Sequence, residues 1–69
     1  MQIGEKVFIG FQESVNYYLR GEQGIIVDRY TDGSAKVKFD YPVYLQDPEF
    51  YPPITETFID EDYLVSLDE

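Results

Sequence analysis

The stretch from Gly21 to Phe39, GEQGIIVDRYTDGSAKVKF, decides the fold of this chain. Two runs rich in β-branched and aromatic residues flank a short polar turn, and such residues suit a pleated, half-buried surface. The dipeptide Asp32-Gly33 between them is typical of hairpin turns, because these residues tolerate positive φ. The sequence therefore predicts a β-hairpin around which the rest of the chain packs.

The second arm of this hairpin alternates apolar and basic side chains. Val37 and Phe39 occupy one face, and Lys36 and Lys38 occupy the other. Because successive side chains of a strand point to opposite faces, the pattern predicts a half-buried strand with solvent-facing lysines. We expect these lysines to pair with acidic residues on neighbouring strands.

The composition limits how such a small fold can be stabilised. The chain has 69 residues, which we read as one domain over 1–69, with seven tyrosines and five phenylalanines but neither cysteine nor histidine. Disulfides and the usual zinc sites are therefore excluded, and we predict no metal and no cofactor. Packing of the aromatic residues has to supply the stability.

The beginning of the chain carries no recognisable targeting signal. No basic segment followed by an apolar segment is present there, and no apolar run reaches the length needed to span a bilayer. We expect a soluble cytoplasmic protein that is complete in itself and does not bind membranes. The oligomeric state is left open.

The net charge of −9 is distributed unevenly along the chain. Residues 1–39 contain five acids and five bases, whereas residues 40–69 contain the remaining acids and neither lysine nor arginine. A one-signed field of this kind repels phosphates and attracts basic proteins over roughly 10 Å at moderate salt.

Three further segments have strand-like patterns. In the first, Val7, Ile9 and Phe11 share one face by alternation. We also predict a short strand over residues 15–19 and another over residues 55–59.

Two segments in the second half of the chain are interpreted differently. Asp60 is predicted to cap a single helical turn, followed by a last short strand over Leu64–Leu67. The segment Asp40–Pro53 lacks periodicity and contains four prolines, which remove backbone donors, so we predict a long proline-rich loop.

The segments Gly4–Ile9, Gly21–Val27 and Ala35–Phe39 resemble the SH3-like barrels of the KOW and Tudor-like type. Phe58–Leu67 is similar to their closing strand, one-turn 3₁₀ helix and final strand. The resemblance implies an all-β fold: a small SH3-like barrel of four to five short antiparallel strands, with a long proline-rich loop and a one-turn 3₁₀ helix before the last strand.

Families of this kind commonly bind nucleic acids, ribosomal or transcription partners, or peptides, and are seldom enzymes. This chain departs from the nucleic-acid-binding members because it lacks a basic surface, and the Asp40–Pro53 loop is additional to their pattern.

Catalysis is not expected of this composition. Without histidine and cysteine, general-base and thiol mechanisms lose their commonest residues. Gly21 and Gly24 do not form a phosphate-binding loop, because no lysine followed by serine or threonine comes after them. We attribute both glycines to turn geometry.

The candidate binding residues are the aromatic and acidic side chains of the proline-rich loop and the acids of the predicted helical turn. Tyrosine is an efficient interface residue because a rigid ring carries a polar tip. Two alternatives stay open: the aromatic rings fold down as a lid on the core, and the acids serve only as a solvated cap. The predicted partner-binding residues are Tyr41, Tyr44, Asp47, Glu49, Phe50, Tyr51, Asp60, Glu61 and Asp62.

We expect a non-enzymatic interaction module that binds a basic protein surface through these residues. In a sharper form, it is an inhibitor that imitates nucleic acid, with carboxylates in place of phosphates. The alternative is a KOW-like nucleic-acid-binding domain that uses Lys6, Arg20, Arg29, Lys36 and Lys38. An aromatic cage for a methylated lysine, as in Tudor-like relatives, is a further possibility for Tyr17, Tyr18, Tyr30 and Tyr44.

Overall fold

The computed structural model describes residues 1–44, 49 and 51–67. These residues form one antiparallel sheet with the strand order β4-β3-β2-β1-β5. A single 3₁₀ turn, η1, connects the fourth strand to the fifth. The elements are β1 (Lys6–Ile9), β2 (Gln23–Arg29), β3 (Ser34–Val43), β4 (Ile54–Asp60), η1 (Glu61–Tyr63) and β5 (Leu64–Ser66).

The predicted hairpin is present as β2 and β3. The backbone N–H of Tyr30 donates to the carbonyl of Ser34 at 2.9 Å, and Gly33, with φ of 92°, occupies the turn position that favours glycine. The carboxylate of Asp32 accepts bonds from the backbone N–H of Ser34 at 2.9 Å and from its hydroxyl at 2.6 Å. These bonds hold the pKa of Asp32 below its ordinary value, so the turn residue is ionised at neutral pH.

The core lies on the inner face of this sheet and beneath the connection between β1 and β2. The alternation predicted for β3 is confirmed, because Val37 and Phe39 are buried and Lys38 is exposed. The buried hydrophobic side chains are Val7, Ile9, Val15, Leu19, Ile26, Ala35, Val37, Phe39, Val43, Ile59 and Leu64.

Gly24 does not lie in a turn, which corrects the sequence interpretation. It is a residue of β2, opposite Phe39 and between Val7 and β3. A Cβ atom at this position would meet the carbonyl oxygen of Lys38 and would lie 2.7 Å from Val37 Cγ1. Glycine is needed here because two strands approach closely, whereas Gly21 does adopt a turn conformation, with φ of 79°.

The predicted loop over Asp40–Pro53 starts too early. β3 continues through Asp40 to Val43, which pairs with Ile54. Pro42 is tolerated in this strand because Gly24 pairs with Phe39, so residues 41–43 extend past the first residue of β2, and β2 does not require the missing N–H.

Two predictions for the region between β1 and β2 are wrong. Phe11 does not continue β1, which ends at Ile9, and its side chain is 70% exposed. The segment 15–19 forms turns instead of a strand, with the N–H of Leu19 donating to Asn16 at 2.9 Å. Val15 and Leu19 are both buried, and a spacing of four residues places them on one side of successive turns.

The helical turn capped by Asp60 is confirmed. The Asp60 carboxylate accepts from the backbone N–H of Asp62 at 2.9 Å, and the N–H of Leu64 closes the turn on the carbonyl of Glu61. The chain thereby passes directly into β5, which pairs with β1.

The fold is therefore all-β, as predicted. β4 and β5 form the two edges of the sheet and are not paired with each other in the described residues, so the sheet is open. Within the same residues, no helix has the length and apolar character needed to cross a membrane.

We predict that Gly24→Ala destabilises the protein by about 1–3 kcal/mol, because the added methyl group forces β2 away from β3. Gln23→Ala, at an exposed neighbouring position of β2, is the control and is expected to change the free energy of unfolding by less than about 0.5 kcal/mol. Urea unfolding monitored by circular dichroism measures both values. Equal stabilities of the two variants would contradict the close approach of the strands.

Candidate interaction surface

Three of the predicted binding tyrosines are exposed. The exposed fraction of the side chain is 79% for Tyr41, 61% for Tyr44 and 56% for Tyr51. The alternative in which the loop aromatics close over the core is therefore wrong for these three rings. Glu49 is also exposed, whereas Asp47 and Phe50 lie outside the described residues.

Tyr41 borders a surface depression of about 280 Å³ between β3 and the start of β2. Its other lining residues are Gly21, Glu22, Gln23 and Asp40. The depression is therefore lined by one aromatic and two acidic residues, and Asp40 is already paired with Lys6. Aromatic and acidic residues together suit a cationic side chain.

The exposed ring of Phe11 extends the same surface. A Cβ atom at Gly21 would lie 3.0 Å from Phe11 Cζ, so the ring rests against the backbone of Gly21. Because Gly21 also lines the depression, Phe11 and Tyr41 both lie near Gly21. The sequence reasoning missed this position of Phe11, since alternation had placed it on the same strand face as Val7 and Ile9.

Strand topology explains why aromatic residues distant in sequence share this region. β1 ends where β2 begins, because Phe8 pairs with Gln23. β3 ends next to the start of β4, where Val43 pairs with Ile54. The connections that carry Phe11, Tyr17, Tyr44 and Tyr51 therefore leave the sheet at one end, and we call these residues together with Tyr41 the aromatic end.

The three predicted acids of the helical turn have different environments. Asp60 is the cap of η1, and Asp62 is exposed. Glu61 forms a bidentate pair with Arg29, with 2.5 Å from Nε to Oε1 and 3.2 Å from Nη2 to Oε2. The guanidinium group lowers the pKa of Glu61, and the carboxylate raises the pKa of Arg29.

Most of the bases proposed for nucleic-acid binding are engaged within the protein. Lys6 pairs with Asp40, Arg29 with Glu61, and Lys36 with Glu56 at 3.1 Å. Arg20 donates to the backbone carbonyls of Val15 at 2.9 Å and Glu13 at 3.2 Å. Lys38 is exposed on β3.

Each of these ion pairs joins a base from residues 1–39 to an acid from residues 40–69. The pairing predicted for Lys36 is thus confirmed by Glu56 on the adjacent strand. The hydrogen bond that Lys36 donates to the Glu56 carboxylate also raises the pKa of Lys36. Charges that are separated along the sequence are therefore mixed in the folded molecule.

The four tyrosines considered for an aromatic cage do not converge. Tyr17 packs edge-on against Tyr18, with ring centroids 5.6 Å apart. Tyr30 instead contacts Phe58, also at 5.6 Å. The ring contacts of the described part of the chain therefore form separate pairs.

Phe58 is the centre of a second exposed group that the sequence interpretation did not identify. Its side chain is 65% exposed, and Lys36 Nζ lies over the ring at 5.6 Å from its centroid. Alternation along β4 was the available signal, because Ile59 is buried and Phe58 must then face outward.

No group of three or more acidic residues in the described ranges is arranged to hold a metal ion. Comparison of the chain with models of protein families, with curated proteins and with solved structures yields no match in any of the three.

We predict that Glu61→Gln lowers the thermal stability at neutral pH and that the difference from wild type shrinks as the pH falls. The pKa of Glu61 is lower in the folded state than in the unfolded state, so its stabilisation is fully present above the unfolded value of about 4.3 and is lost as the pH falls through the folded value. Melting temperatures at neutral and acidic pH measure the effect.

Asp62→Asn is the matched control for this measurement, because it removes one negative charge from the same turn without breaking the pair with Arg29. Its melting temperature relative to wild type is expected to vary less with pH. An identical pH dependence of the two variants would show that general charge repulsion, and not the ion pair, governs the effect.

Proposed function

We propose that the protein is a non-enzymatic interaction module built on an SH3-like small barrel and that it binds a basic protein surface. The strand order β4-β3-β2-β1-β5 and the single 3₁₀ turn between β4 and β5 support the barrel. The β2–β3 hairpin further supports the resemblance seen in the sequence.

The observation that carries the proposal is the exposure of Tyr41, Tyr44 and Tyr51 at the aromatic end. Large aromatic side chains lose little conformational entropy on binding and dominate many protein interfaces. Glu22 lines the same depression as Tyr41, whereas Asp40 there is already paired with Lys6, so a lysine or arginine of the partner has the exposed ring and Glu22 as its complementary groups. The site therefore favours a cationic ligand surface.

The net negative charge of the protein also favours a basic partner. Fourteen acids and five bases give the net charge of −9, and the internal ion pairs leave this excess unchanged because each neutralises one acid and one base. The resulting negative field accelerates association with a basic protein and disfavours acidic partners. Specificity comes from the aromatic residues, because charge alone does not distinguish one basic protein from another.

We predict that a triple variant, Tyr41→Thr with Tyr44→Ser and Tyr51→Ser, loses at least about tenfold in affinity for the protein that the wild type captures. Proteins retained from source-cell lysate at low and high salt identify the partner, and calorimetry with the purified partner gives Kd. High salt is expected to weaken the interaction as well.

Val65→Thr provides the control, because this residue is exposed on β5 and threonine preserves the tendency to form a strand. Circular dichroism establishes that both proteins are folded. An unchanged Kd for the folded triple variant would refute the role of the tyrosines.

The nucleic-acid alternative predicts a shift of oligonucleotides at low salt that depends on Arg20 and Lys38, the two bases outside the ion pairs that the described residues form. On our proposal, neither duplex DNA nor single-stranded RNA is shifted. Gel-shift titrations of wild type and of Lys38→Ala distinguish the two, and a shift that is lost in Lys38→Ala supports direct nucleic-acid binding.

The inhibitor that imitates nucleic acid is a special form of the same proposal. It requires the captured partner to be a nucleic-acid-binding protein and requires its DNA or RNA to compete with this chain. Formation of a ternary complex would exclude the imitation while leaving the protein interaction intact.

A further inference from the structure

β4 is an edge strand of the sheet, and its residues 56–60 pair with β3 without a register shift. Residues 56–60 pair with residues 34–38 of β3, and no strand pairs with the other side of β4 in the part of the chain that the structure describes. Along an edge strand, alternate backbone N–H and C=O groups point away from the sheet. β4 thus offers a row of backbone donors and acceptors.

This edge carries acidic residues but lacks lysine and proline, two of the usual devices that prevent strand addition. From Ile54 to Asp60 the sequence is ITETFID, which contains neither lysine nor proline and is rich in β-branched residues. Phe58 adds an apolar side chain, 65% exposed, on the outward face.

The acidic side chains of β4 determine which kind of strand can pair with its open edge. Glu56 and Asp60 are exposed and lie on either side of Phe58 on the same face, by the alternation of β4. A second copy of this chain would bring another net charge of −9 to this position. A segment with lysine or arginine opposite the acids and an apolar residue opposite Phe58 is complementary instead.

The contacts of Lys36 show that a cationic side chain fits between Glu56 and Phe58 on the outward face of β4. Its ammonium group bonds Glu56 at 3.1 Å and lies over the Phe58 ring at 5.6 Å from the centroid. A cation on the strand flanking β4 from one side is therefore already accommodated, and the other side is available for a second.

We propose that β4 receives an extended basic segment of the partner as an additional antiparallel or parallel strand. This inference rests on the proposed function for the basic character of the partner, but it concerns a different surface from the aromatic end. Backbone hydrogen bonds to β4 supply affinity, while Glu56, Phe58 and Asp60 determine which side chains fit.

A capped peptide with the core lysine-threonine-valine-threonine-lysine is the probe. Its palindromic order places a lysine opposite each acid and the valine opposite Phe58 in either strand direction. We expect binding to protect β4 amides from hydrogen exchange and to give cross-strand nuclear Overhauser effects between the peptide and residues 56–60. A peptide with proline in place of valine keeps the charge but cannot extend the ladder, and we expect it not to bind.

Two variants that break the same ion pair test the side-chain selection. Glu56→Gln removes the acid that faces the added lysine and is expected to weaken peptide binding about two- to fivefold. Lys36→Gln releases Glu56 from its internal partner and is expected to strengthen binding by a similar factor. Because both variants lose the Lys36–Glu56 pair, a shared loss of stability cannot produce effects of opposite sign.

Equal affinities of the valine and proline peptides, or protection at the aromatic end instead of β4, would overturn the proposal. Dimerisation through β4 in analytical ultracentrifugation would also overturn it, because a second copy would then be the occupant. The result is separable from the test of the tyrosines, since the triple variant retains β4 and its outward side chains.

Discussion

The structure depends on the burial of one face of a single sheet. A chain of 69 residues without cysteine has no disulfide, so the inner side chains of β1, β2 and β3 have to be covered by the chain itself. The connection between β1 and β2 contributes Val15 and Leu19 to this core, and Ile59 and Leu64 contribute from either side of η1. Close strand packing at Gly24 is part of the same constraint, because a small core tolerates few gaps.

Features specified by neighbouring residues could be predicted from the sequence. The Asp32-Gly33 turn, the alternation of β3 and the cap at Asp60 each depend on local geometry, and all three are present. Features set by distant parts of the chain could not be predicted. Pro42 lies in a strand because β2 begins late, and Gly24 is required by β3.

The candidate site also depends on features that are set by distant parts of the chain. The sequence left open whether Tyr41, Tyr44 and Tyr51 are exposed or cover the core, and the structure shows that they are exposed. The contact of Phe11 with Gly21 needed the position of Gly21 in space. Residues 1–39 are neutral in sum and residues 40–69 are acidic, but this separation along the sequence does not persist on the folded surface. Antiparallel pairing brings Lys36 next to Glu56, and the helical turn brings Glu61 to Arg29. Charge patterns along a sequence therefore need the strand order before they define a binding face.

Because the edge at β4 is open, the net negative charge of the protein affects whether identical molecules associate through this edge. At neutral pH, mutual repulsion keeps the edges of identical molecules apart, so the acidic residues act as gatekeepers in place of an edge lysine or proline. The isoelectric point is about 4.1, and near that pH the repulsion disappears while the backbone groups of β4 stay exposed. The net charge thus also determines the pH range over which identical β4 edges repel each other.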